Sequence, residues 1–301
     1  MAPMTQDQHL PNDFLANSAP NIKVSRVNWI KVGLPEYNGS YAVVLDNVMT
    51  KEECDTLRTV AEFTARDGEW DRAMVNMGQG REHLMTEQRN CGRIIYDSQD
   101  AATRIWKRIE HLPEVQEIVS LENVPNIFGN GAANRGEVWR LTRPNERLRF
   151  LKYIGGEYFR PHCDGAYMTP DRAERSFFTL HLYLNDGAEL SQLNSPIACT
   201  AGCVGGATTF HSKDMKYRFD VLPRTGRVLL FQHRSLVHSG DDVANGVKYT
   251  VRTDLMFALE ERRVEGLGFL RKARSTRRRD GDLRREHKGS RIGGLLRSFR
   301  G

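Results

Sequence analysis

Between Asp164 and His238 the chain runs through four extended blocks, FFTLHLYLN, ATTFH, YRFDVLP and GRVLLFQH, separated by turn-forming residues. Short apolar runs of this kind, rich in β-branched and aromatic residues, read as strands rather than helices. Four of them are enough to cross two sheets and bring the end of the segment back beside its start. What stands at the two ends gives that return its interest. His162 and Asp164 lie two apart in RPHCD, and on an extended run residues i and i+2 project from the same face. His238, in LVHSGDD, supplies one more imidazole.

Two neutral imidazoles and one carboxylate on one side of a metal leave the opposite positions open, which is the coordination of non-haem Fe(II) oxygenases. A His-x-Asp triplet followed by a later histidine is a common pattern in a chain with nine histidines, so its neighbours carry the weight. Ten residues after His238 stands Lys248, at the head of the alternating run KYTVRTDLMF. A cation on a strand beside such a site is what a dicarboxylate co-substrate requires, since its far carboxylate needs a fixed positive partner once it leaves water.

The strings RFLKYIGGEYFRPHCDG, FFTLHLYLND, VGGATTF and GRVLLFQHRSLVHSGDDVANGVKYTVRTDLMF occur in this order, and over residues 146 to 259 the chain resembles the 2-oxoglutarate and Fe(II)-dependent dioxygenases of the prolyl 4-hydroxylase type. The resemblance implies that His162, Asp164 and His238 ligate iron and that Lys248 pairs with the distal carboxylate of 2-oxoglutarate. It implies that Tyr153, nine residues before the first ligand, and Tyr183, in LHLYLND, line the co-substrate pocket, although both could equally be core aromatics. Arg252 falls on the same strand face as Lys248. The spacing of ten and the preceding Gly246 favour Lys248 as the anchor. The planar fork of Arg252 suits a bidentate carboxylate, and it could instead pair with Asp254. The fold implied is mainly β with flanking helices, a double-stranded β-helix (jelly roll) packed with an N-terminal helical layer. The reaction implied is hydroxylation of an unactivated C–H bond with O2, giving succinate and CO2, with ascorbate as a further cofactor. Phe159, Phe210 and Phe231 read as core residues, and His181 lies near the cofactor if Thr179 and Tyr183 point inward.

With 301 residues, 39% hydrophobic and 27% charged, the chain can bury one sizeable core and a helical layer. No run approaches the roughly eighteen consecutive apolar residues of a membrane span, and the opening MAPMTQDQHLPNDF lacks the charged head and apolar core of a secretory signal. The expectation is therefore a cytoplasmic or nuclear protein without membrane contact. An odd number of cysteines, five, disfavours a disulfide scaffold; Cys199 and Cys203, four apart, leave a redox pair as a minor reading. Residues 1–22 are expected to be a flexible N-terminus, 23–145 a strand and helix support region, 146–260 the dioxygenase jelly roll, and 261–301 a basic, disordered tail. From Arg262 onward 14 Lys or Arg face 4 acids, so this segment carries +10 and the rest of the chain −4. Such a tail can touch phosphate backbones weakly or serve as a nuclear address, and a solvated face is the plainer reading.

In the support region, SYAVVLDNVM reads as a strand, and Thr50 with Glu53 forms a capping box ahead of Leu57, Val60 and Phe63 at helical spacing. A second helix is expected from Asp100 to about Val119, after a short strand at Arg93 to Tyr96. Arg81, Arg89 and Asn90 are candidate substrate contacts in the loop-rich stretch between, and the long loop at 186–206 is a candidate for substrate enclosure. The substrate is expected to be an intracellular protein side chain or a small metabolite. Oxidative demethylation of nucleic acid and a catalytically inactive β-barrel binding module are the alternatives.

Overall fold

The structure is a computed structural model that describes residues 10–17, 19, 21–76, 81–194 and 202–260. Its elements, in chain order, begin with β1 (Lys23–Arg26), β2 (Ala42–Asp46), α1 (Lys51–Thr64) and β3 (Asp71–Arg72). β4 (Arg89–Asn90), β5 (Gly92–Asp97), α2 (Gln99–Lys107) and β6 (Val138–Pro144) lead into β7 (Arg147–Ile154). β8 (Tyr158–His162), β9 (Glu174–Tyr183), β10 (Thr208–His211) and β11 (Arg218–Val221) precede β12 (Val228–Gln232), β13 (His238–Gly240) and β14 (Val243–Leu259).

These strands form two facing antiparallel sheets. The major sheet runs β1-β2-β12-β9-β14-β7-β5-β3, with β6 also paired to β14, and the minor sheet runs β11-β10-β13-β8-β4. The architecture is the expected jelly roll, mostly strand, with a helical layer on one side.

The side-chain period of two explains why the major sheet is covered on both faces. On β9, Phe178, Leu180 and Leu182 join the core beneath the helices, while Tyr183 on the opposite face packs in the cluster between the sheets. β12 splits likewise, with Val228 and Leu230 toward the helices and Leu229 and Phe231 toward the minor sheet. Phe210, wholly buried, meets Phe231 edge-on with ring centroids 5.5 Å apart. Each large apolar side chain buried in this way stabilises the fold by roughly 1.5–3 kcal/mol.

The helical layer is fixed by polar contacts. The capping box of α1 is present: Glu53 N–H donates to Thr50 Oγ1 and Thr50 N–H donates to Glu53 Oε2. The same Glu53 carboxylate accepts from Arg108, whose guanidinium also donates to Val48 O at 2.9 Å. Of the expected apolar face, Leu57 and Val60 are buried, whereas Phe63, in the last turn, is 46% exposed. The second helix is shorter than expected. α2 ends at Lys107, and a separate single turn, Pro113–Gln116, follows. Pro113 cannot donate a backbone N–H and excludes helical geometry from the residue before it, so one continuous helix to Val119 is not available.

Part of the segment expected to be flexible, 1–22, lies among the described residues. Leu10 and Phe14 are buried in the main core, and Arg104 donates to the carbonyls of Pro11, Asn12 and Phe14. The loop at 186–206 holds a short strand at Gly187–Ala188 and another at Cys203–Gly205; its centre lies outside the described residues, as do Cys199 and the tail from 261. Among the described residues no helix is long and apolar enough to cross a membrane.

Candidate metal centre

His162 closes β8 and His238 opens β13, and the two residues are direct partners in the register of these neighbouring strands. Asp164 follows two residues past the strand end, with exposed Cys163 between, so the alternation of an extended chain continues one step beyond the sheet. One ligand atom from each of the three residues lies within 4.8 Å of the others. His162 Nε2 is 3.6 Å from Asp164 Oδ1, and His238 Nε2 is 3.7 Å from Asp164 Oδ2.

The ring nitrogens away from this point are already engaged. His162 Nδ1 lies 2.8 Å from Arg160 O, and His238 Nδ1 lies 3.0 Å from Leu236 O. A carbonyl can only accept, so each Nδ1 carries a proton and each Nε2 is the ring nitrogen turned toward the centre. Burial, with His162 close by, pushes His238 down to about 3, which keeps it neutral. Burial pushes Asp164 upward, but Arg252, His238 and His162 outweigh it and hold the carboxyl well below the usual range. The donor set is two imidazoles and a carboxylate, and it fits a divalent first-row metal such as Fe(II).

Two contacts that aim Asp164 were not read from the sequence as such. Thr179 Oγ1 donates to Asp164 Oδ2 at 2.6 Å, and Arg252 lies 3.0 Å from Asp164 Oδ1. Arg252 continues to Asp254 at 3.3 Å, and Arg149 reaches the other oxygen of Asp254 at the same distance. Thr179 shares its strand face with His181 and Tyr183, which was the available signal. Its partner depended on which strands become neighbours.

A recess opens over the triad. Tyr153, Phe159, Phe231, Lys248 and Arg252 line it, with Arg89 and His181. Lys248 is paired in register with Tyr153 and is 1% exposed. Its Nζ lies 5.0 Å from the Tyr153 ring centroid and 5.9 Å from that of Tyr183, within cation–π range. Among the described residues no carboxylate comes within ion-pair distance of it. Burial pushes Lys248 down to about 8. Gly206, at φ +67°, permits this packing, since a Cβ there would meet Lys248 Cδ at 3.0 Å. Tyr183 donates to Thr208 Oγ1 at 2.7 Å. His181 lines the recess with Nε2 buried and unpartnered, and burial next to Lys248 and Arg252 holds it well below its ordinary value.

Of the three aromatics read as core, Phe210 and Phe231 are buried in the cluster between the sheets, Phe231 also lining the recess, whereas Phe159 is half-buried and faces the recess, stacking on His162 with ring centroids 3.6 Å apart. Of the three substrate candidates, only Arg89 reaches the recess; Asn90 accepts from Arg72, and Arg81 is exposed.

The family model described as the 2OG-Fe(II) oxygenase superfamily matches residues 148–253. No curated protein is similar in sequence to the chain. Among solved structures, a Pseudomonas putida prolyl-4-hydroxylase is similar at 15% identity and a TM-score of 0.45, covering 76% of this chain and 99% of that one. A Trichoplax adhaerens prolyl hydroxylase in complex with a hypoxia-inducible-factor peptide fragment has the same identity and TM-score, with 75% and 87% covered. A viral collagen prolyl hydroxylase from Paramecium Bursaria Chlorella virus-1, in complex with 2OG, is similar at 17% identity and a TM-score of 0.41, with 73% and 98% covered. The family match runs from Leu148 on β7 to Thr253 on β14, so it spans the three residues that meet in ligand geometry as well as Lys248. Residues 148–253 thus match the 2OG-Fe(II) oxygenase superfamily over the segment that carries the His162, Asp164 and His238 cluster, and the protein is a 2-oxoglutarate-dependent dioxygenase.

Proposed function

We propose that the protein hydroxylates an unactivated C–H bond in the manner of the prolyl 4-hydroxylases, with Lys248 as the anchor for the distal carboxylate of 2-oxoglutarate. The observation that carries the anchor is a fully buried lysine beside the triad with no carboxylate partner among the described residues. Arg252, its rival, already serves Asp164 and Asp254. A buried cation left unpaired is costly, and an incoming carboxylate relieves that cost.

His162, Asp164 and His238 would hold Fe(II). Bound iron and 2-oxoglutarate together supply the oxidising power, with O2 consumed, succinate and CO2 formed, and one oxygen atom left on the substrate carbon. The protein's own tasks are positional. Thr179 and Arg252 fix the Asp164 carboxylate, while Arg160 O and Leu236 O fix the two imidazoles. Lys248 fixes the far end of the co-substrate, and Tyr153 and Tyr183, with their rings 5.0 and 5.9 Å from its ammonium, keep water from it. Leu151, Phe159 and Phe231 make the walls apolar.

The substrate belongs to the same proposal, as a protein side chain or a small metabolite, and so does ascorbate as an accessory reductant. The nucleic-acid alternative rested on the basic tail, which lies outside the described residues. Purified protein with Fe(II), 2-oxoglutarate and O2 should form succinate, and His162→Ala should abolish both iron binding and succinate formation. Absence of 2-oxoglutarate binding in the iron-loaded protein would remove the basis of the reading. Omitting ascorbate should shorten the time over which succinate accumulates; an unchanged time course removes ascorbate from the proposal.

A further inference from the structure

Four charged side chains line the recess: Asp164, Arg252, Lys248 and Arg89. The first two satisfy each other at 3.0 Å, and Lys248 is assigned to the co-substrate. Arg89 remains. It stands on β4, paired with Phe159 of β8, and is 7% exposed. Its guanidinium lies over the Phe159 ring at 4.6 Å, and that ring stacks on His162 at 3.6 Å, so Arg89 is two stacking steps from a metal ligand. One nitrogen donates to Met74 O at 3.3 Å, while Nε is buried without any hydrogen-bond partner. Among the described residues no carboxylate is in ion-pair range.

A lysine in this position could shed its proton to escape the cost of burial, as the depressed value at Lys248 illustrates. An arginine cannot, because its guanidinium stays charged at any pH a protein tolerates. The surroundings offer no relief either. Burial lowers Arg149, and Arg252, Arg147 and Arg89 around it push in the same direction against Asp254. The corner of the recess next to Arg89 is thus cationic, and of the buried acids Asp164 is held by Arg252 while Asp254 is shared by Arg149 and Arg252.

We propose that the substrate is a small organic acid whose free carboxylate binds Arg89, with the reacting C–H bond a few bonds away over the metal. The inference rests on the oxygenase reading and narrows it. The overall reaction is R–H + O2 + 2-oxoglutarate giving R–OH + succinate + CO2, so the carboxylate of R is untouched and serves for orientation. A planar, bidentate donor suits that task. A residue inside a peptide chain has no main-chain carboxylate to offer, which is why a small acid is favoured over a protein segment.

The full-length protein with Fe(II) and 2-oxoglutarate can be tested against free L-amino acids and aliphatic and aromatic monocarboxylates, each beside its methyl ester, and against an acidic and a proline-rich peptide. At least one free acid should raise succinate formation tenfold or more while its ester does not. Arg89→Gln should raise KM for that acid at least tenfold and leave 2-oxoglutarate affinity unchanged, with Arg89→Lys recovering part of the loss. Independently of turnover, Mn(II)-loaded protein should broaden the NMR signals of the bound acid, and Arg89→Gln should abolish the broadening while its circular dichroism and melting temperature stay native. Equal stimulation by ester and acid, stimulation by a peptide alone, an unchanged KM in Arg89→Gln, or loss of fold in both Arg89 variants would overturn the assignment. If the protein fails to bind 2-oxoglutarate at all, it is the oxygenase reading that falls, and the Mn(II) broadening experiment still decides whether Arg89 anchors a carboxylate.

Discussion

On the proposed assignment, Lys248 is destabilising until the co-substrate pairs with it. In the free protein its value is depressed from 10.5 to about 8 by burial. Below pH 8 it is protonated in folded and unfolded chains alike, so the full cost of burying the charge is present. Between pH 8 and 10.5 the unfolded chain binds more protons, so this group's contribution to stability improves as pH rises. With Lys248 as the proposed anchor, binding of 2-oxoglutarate has the opposite requirement, needing the ammonium, and its affinity should fall as pH rises through about 8. Isothermal titration of the Mn(II)-loaded protein across pH 7 to 9.5 checks this. Lys248→Met should cost about 2 kcal/mol or more of 2-oxoglutarate affinity, roughly thirtyfold, and raise the melting temperature of the ligand-free protein at pH 7. A variant that loses affinity and stability together would contradict the account. At this scale the sequence was most readable where residues are close in the chain or fall at a short, fixed spacing. His162 and Asp164 declare themselves by a separation of two, and Lys248 by a separation of ten from His238. The partners of Asp164 did not, because Thr179 and Arg252 reach it from β9 and β14 only once those strands lie side by side.

Glu53 links two elements at once, closing the capping box of α1 and neutralising Arg108 just past the end of α2. Thr50→Ala removes one half of the cap and should lower stability by about 1 kcal/mol. Glu53→Ala also strands Arg108, 6% exposed, and should cost about 3 kcal/mol or more. Urea unfolding separates the two, and equal effects would show that the Arg108 contact contributes nothing. The capping box was visible in the sequence because it is local, four residues in a row. The Arg108 contact was not, since helical periodicity says nothing of which helix ends meet. The same division explains α2: its apolar period could be followed to Val119, but Pro113 interrupts the backbone whatever the side chains repeat. Gly226 marks another non-local demand. It adopts φ +71°, and a Cβ there would sit 1.8 Å from Met49 O, so Gly226→Ala should lower the melting temperature sharply by driving this turn away from the start of α1.

On the scale of the whole molecule, the candidate metal centre bridges β8 and β13, strands brought together from well-separated parts of the sequence. Metal binding is therefore coupled to the pairing of the minor sheet. Loading with Mn(II) at one hundred times its dissociation constant should stabilise the fold by about 2.7 kcal/mol, and a chelator should reverse the shift in melting temperature. His162→Ala should show no such shift. The two-sheet arrangement followed from counting strand blocks between Asp164 and His238. The burial of Leu10 and Phe14 did not, because two apolar residues in a polar stretch carry no period. β14 draws these threads together. Its Val251, Leu255 and Phe257 sit in the core under the helices, while Lys248 and Arg252, on the other face, line the recess and Asp254 lies beside Arg252. A strand so occupied has no neutral positions over most of its length. Drift in the packing beneath the helices will register as a change in how the co-substrate sits, so variants selected for thermal robustness on that side should surface in the catalytic constants before they surface in the fold.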